Sequence, residues 1–505
     1  MKYSLLLWML TLLPVALAAQ YSAAPCATRG EWAEQVARRL RSNQLARDLR
    51  GTVRFRETIY IPVKFHLVAQ NDGGGRVPDW KVLDQLCALN QDFADMDLQF
   101  FIKDGFDYLD NSAVFDNHVP AINTIMTLEQ DPSALNIWIV DDAAPASDND
   151  IGITLGYYDP RKDWIVVNRD YISDNNIILT HEIGHFFSLL HTHHGWDSKP
   201  YRDEDKPAPV NAEDGGLTEK VDGSNCHDAG DFLCDTPPDY NGLGLGCDFS
   251  LNVFDPDSVL IDPDETNFMS YFLDCRRADY AFSASQKDMV IVDAMDGSRD
   301  RLKTSQPDSK EAVTGTPVLV YPIDNEDALG NGTVQLQWEP VQGATTYLVE
   351  VARSSDFSIQ RQTFTTAETS QEVSGLLVDQ RYHWRIRPYN DYYTCAPFSE
   401  GESFIVDEKV ATVNTIRELA AWSVSPNPVH GQAQVILALE SDRSFEAEIS
   451  LFALDGRQVR TLGRRNVPAG SARIGIPVQD LASGIYLLAL TTESGRLNQR
   501  LVVTR

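Results

Sequence analysis

A chain of 505 residues is too long for one hydrophobic core, and its length argues for about three domains. Its composition, 43 % apolar and 23 % charged, is that of folded protein and excludes a disordered chain. A formal charge of -30 repels phosphate at long range, so nucleic acid and anionic membranes are not expected partners, whereas calcium suits such a surface.

In chain order, residues 1–19 place Lys2 before an apolar run that ends in small residues, which predicts a signal peptide. No later stretch is long and apolar enough to span a membrane. Residues 20–56 are rich in arginine and alanine, with Trp32, Val36 and Leu40 at helical spacing. Arg38, Arg39, Arg47, Arg50, Arg54 and Arg56 offer trypsin-like cleavage points, so this segment is expected to be a removable pro-segment.

Residues 57–305 alternate strand and helix patterns and predict an α/β domain. The strands are IYIPVKFHLV (59–68), ALNIWIVDDA (134–143) and WIVVNRDYI (164–172), and DWKVLDQLCALNQDF (79–93) is a helix. The stretch GITLGYYDP (152–160) is a candidate edge strand to which an extended peptide could add. A further helix is expected after Ser173 and Asp174, either of which could cap it. A polar, proline-bearing linker follows at 303–317, and residues 314–407 then alternate in period two, as VQLQW and RYHWRIRPY do, predicting a β-sandwich. Residues 418–505 predict a second all-β module, with a hairpin on Asp455-Gly456.

The chemistry concentrates in LTHEIGHFFSLLHTHHGWD (179–197). His181 and His185 are four apart, which puts both imidazoles on one helix face, near enough to share one zinc ion. Glu182 can reach a water there without taking a coordination position. His191 supplies a third ligand and leaves the fourth position of a tetrahedral site free. His193 and His194 fall outside this frame and are expected to be bystanders, solvated or behind the ligands. The seven cysteines of an exported chain predict disulfides with one thiol left over. Cys226, Cys234, Cys247 and Cys275 cluster in sequence and allow three pairings. Cys87, on an apolar helical face, is expected to be a buried thiol, and Cys395 has no obvious partner.

The frame HExxHxxxxxH, with GSNCHDAGDFLCDTPPDY (223–240), TNFMSYF (266–272) and FSASQ (282–286) in that order, resembles the pappalysin family of metzincins in its bacterial cytophagalysin branch. The resemblance covers about residues 57–300. It implies a secreted zinc endopeptidase acting on proteins or peptides, with His181, His185 and His191 on zinc and Glu182 as general base. Met269 would lie in a methionine turn beneath the metal, and the Tyr271 hydroxyl would support the transition state. It also implies calcium at Asp231, Thr236 and the carbonyl of Cys234, with Asp235 beside them, and two bridges among the four clustered cysteines. One departure is Ser188, where the family has glycine. A left-handed non-glycine residue costs about 1–2 kcal/mol, against on the order of 10 kcal/mol from structural zinc.

PCATRGEW, around Cys26, resembles the cysteine switch of pappalysin zymogens, whose thiolate takes the water position on zinc; the family's middle residue is glycine and here it is Ala27. Residues 314–407 resemble fibronectin type III domains, with Trp338, Tyr347, Tyr382 and Trp384 as core aromatics. The last module resembles the C-terminal sorting domain of type IX secretion, which implies that secretion machinery as a partner and a secreted or outer-surface location. The alternative reading is a surface adhesin or pseudoprotease that binds through its sandwiches. The complete ligand set with Glu182 favours the enzyme, because an inert descendant has no need of a base beside the metal.

Overall fold

The computed structural model describes residues 25–51, 57–145, 154–303, 311–329, 332–407, 416, 418–453, 457–492 and 496–504. The signal peptide, Arg54, Arg56 and the Asp455-Gly456 turn lie outside the described residues. Helix α1 (Glu31–Arg50) opens the structure, and its Ala33, Val36 and Leu40 are buried along one stripe.

Strand β1 (Ile59–Ala69) is long enough to hold two partners on one side. Its first half pairs with β2 (Leu98–Ile102) and its second with β3 (Asp107–Asp110). On the other side follow β4 (Leu135–Val140) and β6 (Trp164–Asn168), all parallel. Only β5 (Gly156–Asp159) runs antiparallel, against β6, and it forms the edge of the sheet. Every residue of β4, β5 and β6 is buried, as expected where both faces of a sheet are covered. On one face Val63, Phe65, Leu67, Ile137 and Ile139 share a core with α2 (Asp79–Asp92) and α3 (Ile178–Phe186). On the other, Val68, Trp138, Val140 and Trp164 pack with Val114, Phe115 and Met126. Helix α4 (Ala284–Met295), closed at its start by a Ser283–Gln286 capping box, packs against α1.

The next unit is a sandwich of a five-stranded and a three-stranded sheet, with Trp338, Tyr347, Tyr382 and Trp384 all buried in its core. It does not hang on a free linker. Cys87 and Cys395 form a disulfide between α2 and the sandwich, so the expected buried thiol and unpartnered cysteine are both corrected. The reason lies in the helix. Leu83, Leu86 and Leu89 take its core face, while Cys87 and Asp84, three apart, fall on the stripe that meets the sandwich. Asp84 pairs there with Arg387, Ile102 N–H donates to the Asp391 carbonyl at 2.9 Å, and Phe101 stacks on Tyr392.

The last unit has a three- and a five-stranded sheet around Leu437, Ile449, Leu451, Leu488 and Leu501. Its strands Phe445–Ala453 and Gln458–Val467 are antiparallel neighbours. Among the described residues no helix is long and apolar enough to cross a membrane.

Candidate metal centre

The local chain explains how the three histidines meet. Helix α3 starts at Ile178, later than Ser173 and Asp174 would have it: its N-cap is Ile177, which gives no side-chain cap, and Asn176 Oδ1 accepts from the Ile178 N–H at 2.8 Å. It ends in a paired closure: Leu189 N–H donates to the Gly184 carbonyl and Ser188 N–H to that of His185, both at 2.9 Å. This is a Schellman turn, whose left-handed position is Ser188, at φ +69°. The chain then folds back, and Thr192 N–H donates to the Met269 carbonyl at 3.1 Å. Gly184 is required beneath: a Cβ there would lie 2.3 Å from the Met269 sulfur.

His181 Nε2 and His185 Nε2 lie 3.2 and 3.1 Å from His191 Nε2. Each ring is held through its other nitrogen. His181 Nδ1 donates to the Phe268 carbonyl and His185 Nδ1 to that of Leu189, both at 2.7 Å, and His191 Nδ1 donates to Asp197. With the Nδ1 protons committed, three Nε2 lone pairs converge, an arrangement that repels itself unless a cation sits between them. Burial, and the neighbouring rings, hold His181 and His185 well below the usual imidazole range; burial lowers His191 to about 4. Three neutral nitrogen donors in a closed pocket fit zinc.

Cys26 Sγ joins these nitrogens, the four donor atoms all lying within 4.8 Å of one another. Its thiol faces Glu182 Oε2 at 3.4 Å, and burial followed by the Glu182 charge pushes it well up. Burial also pushes Glu182 up to about 8; its Oε1 is buried with no hydrogen-bond partner, and Oε2 is met by Thr28 Oγ1 at 3.5 Å. The Tyr271 hydroxyl donates to the Cys26 carbonyl at 3.0 Å. The segment around Cys26 lies on β5. Leu155 N–H donates to the Pro25 carbonyl at 2.8 Å, Ala27 N–H to Gly156 at 3.2 Å, and Tyr158 N–H to Thr28 Oγ1 at 2.9 Å. Of the edge expected at 152–160, residues 152 and 153 lie outside the described residues and Gly156–Asp159 is an edge, covered in this chain by residues 25–28.

His193 is not solvated: it is wholly buried, stacked on His191 with ring centroids 4.7 Å apart and close to Tyr271 at 4.1 Å. His194 stands 3.3 Å from Asp197 Oδ2. Sequence reasoning missed Asp197, although it closes the same nineteen-residue stretch, because nothing in local spacing marks a carboxylate six residues after a ligand as its partner.

The acidic loop is more divided than expected. Asp231 Oδ1 accepts from Thr236 Oγ1 at 2.8 Å, and its Oδ2 is buried without a partner. Asp235 instead turns away to α4, accepting from Ser283 Oγ and Ser285 N–H. Glu219 and Asp239, which the spacing did not single out, are buried nearby; burial, then the charges of Asp231 and Asp239, push Glu219 up to about 10. The disulfides are Cys226–Cys234 and Cys247–Cys275, and Cys26 is the free cysteine.

Residues 423–504 match the family of secretion system C-terminal sorting domains. The chain therefore carries the type IX export signal and works at the cell surface or beyond it. Over 237 residues it is 25 % identical to an extracellular metalloprotease of Colletotrichum graminicola, covering 43 % of this chain and 70 % of that protein. A solved Tannerella forsythia promirolysin mutant is similar at 18 % identity, covering 55 % of this chain and 96 % of its own, with a TM-score of 0.37. The fibronectin type III domain of human collagen alpha-1(XX) is similar over 21 % of this chain and 98 % of its own, at 19 % identity and a TM-score of 0.15.

Proposed function

We propose that the chain is the latent precursor of a secreted zinc endopeptidase of the pappalysin type, with His181, His185 and His191 as ligands. The observation that carries this reading is the convergence of three Nε2 atoms whose Nδ1 protons are all committed elsewhere. Zinc, when bound, supplies Lewis-acid polarisation of the scissile carbonyl and makes water easier to ionise. Glu182 takes the proton from the attacking water and returns it to the leaving amine, its buried Oε1 having no hydrogen-bond partner of its own. Met269 braces the floor of the site under Gly184. Tyr271, now engaged by Cys26, is free to donate to the substrate oxyanion once the leader departs. In the precursor Cys26 fills the position that water needs, and residues 25–28 fill the peptide's place on β5. Asp231, Thr236 and the Cys234 carbonyl hold calcium, the buried Asp231 Oδ2 having no hydrogen-bond partner of its own.

The test compares wild type with Glu182→Ala on a broad peptide library after tryptic removal of the leader, alongside bound-metal analysis. Stoichiometric zinc in both and cutting by wild type alone are expected; equal cutting, or no zinc, sinks the reading. A Cys26→Ala precursor should become active earlier than wild type during tryptic activation, and an unchanged time course would remove the switch.

A further inference from the structure

The leader does more than cover the cleft: it seats one large aromatic side chain. Trp32 lies on Tyr157 of the edge strand with ring centroids 5.1 Å apart and an interplanar angle of 29°. Tyr157 is fixed from behind, its hydroxyl bonded at 2.7 Å to His118 Nε2, while His118 Nδ1 donates to the Asp142 carbonyl at 3.0 Å. The same indole is also met by the Arg161 guanidinium, 5.0 Å from the Trp32 ring centroid. Arg161 is itself clamped, Nε and Nη2 donating to the two oxygens of fully buried Asp159, each at 3.1 Å. Beside Trp32 runs a cavity of about 600 Å³, walled on one side by the leader and on the other by Val119, Ile122 and Pro145 together with Asn123, Arg161 and Lys162. A flat, rigid ring, a cation over the same indole and apolar side chains alongside make a receptor for an aromatic side chain.

We propose that this slot is a specificity subsite of the activated enzyme, taking Trp, Tyr or Phe from an extended peptide lying on β5. The proposal rests on the endopeptidase reading above. Gly156, next to Tyr157, is level with Glu182, a Cβ there lying 3.2 Å from Glu182 Cγ. Trp32 itself reaches the slot from the first turn of α1, so the library reads at which distance from the scissile bond the aromatic is selected. Trp32 occupies the slot in the precursor, so one set of contacts serves first the leader and then the substrate.

Two arms test this. In the first, the trypsin-activated protein and its Tyr157→Ala and Tyr157→Phe variants digest a proteome-derived peptide library. Wild type and Tyr157→Phe should enrich aromatics about tenfold at one position near the cut, and Tyr157→Ala should not. Cutting without that enrichment, or enrichment that survives Tyr157→Ala, overturns the subsite while leaving the protease reading intact. The second arm needs neither turnover nor a change in the folded protein. Calorimetry compares the activated protein's binding of a synthetic peptide of residues 25–50 with that of its Trp32→Ala and Trp32→Phe forms. Binding about tenfold weaker for Ala and near wild type for Phe is expected, even if the library were never cut. Equal binding of all three overturns the proposal.

Discussion

At the residue scale, the site depends on groups that never touch the metal. Asp197 fixes the tautomer and tilt of His191, so Asp197→Ala should weaken zinc binding about 10–100-fold in a chelator competition, and unchanged affinity would argue against His191 as a ligand. The acidic loop makes a prediction about pH. Glu219 has a folded pKa raised from 4.5 to about 10, so in the cation-free protein its contribution to stability is complete below the unfolded value. That contribution is lost as pH rises through the folded one. Thermal unfolding followed from pH 5 to 9 with zinc held constant should therefore show a falling midpoint without calcium, and calcium should flatten the fall. Identical curves with and without calcium would exclude a calcium site there.

At the scale of elements, α1 and the turn after α3 read each other. Asn43 Nδ2 reaches Ser188 Oγ at 2.8 Å and Asp293 Oδ2 at 2.9 Å, and Arg39 Nε pairs with the same Asp293 carboxylate at 2.6 Å. The serine that costs backbone strain thus anchors the leader beside the chain that delivers His191. Removing this buried amide costs roughly 1–3 kcal/mol, so Asn43→Ala should speed tryptic activation without altering the activated enzyme. An unchanged activation rate would show that the helix is held by its other contacts. The ligand helix was legible because four-residue spacing is a property of one helix. What Ser188 gains was not, since its partner is 145 residues away and no local pattern reports it. The helix start was misjudged for a related reason: Ser173 and Asp174 are capping types, yet the N-cap falls on Ile177, which has no side-chain acceptor, because the packing of the loop decides where the helix begins.

For the whole molecule, the sequence divided the chain into modules but left their docking unread. The Cys87–Cys395 link joins residues 308 apart, and hydrogen bonds around Asp391 and Tyr392 add to it. A paired Cys87→Ser, Cys395→Ser variant should lose about 2–4 kcal/mol, lowering the unfolding midpoint of the α/β unit and the sandwich together. A midpoint that stays put would mean that the polar seam suffices. Helical spacing marked Cys87 as apolar, yet a stripe bordering a core looks the same in sequence whether it meets that core or a neighbouring module.

The covered edge of β5 has a consequence for export. A strand whose N–H and C=O groups face outward is a template for any passing chain, and it invites aggregation. In the precursor Leu155 and Gly156 already donate to Pro25, and Tyr158 both donates to and accepts from Thr28. On the precursor reading proposed above, residues 25–28 act as an insulator in transit and leave no sticky edge here for neighbouring copies until the leader is cut away.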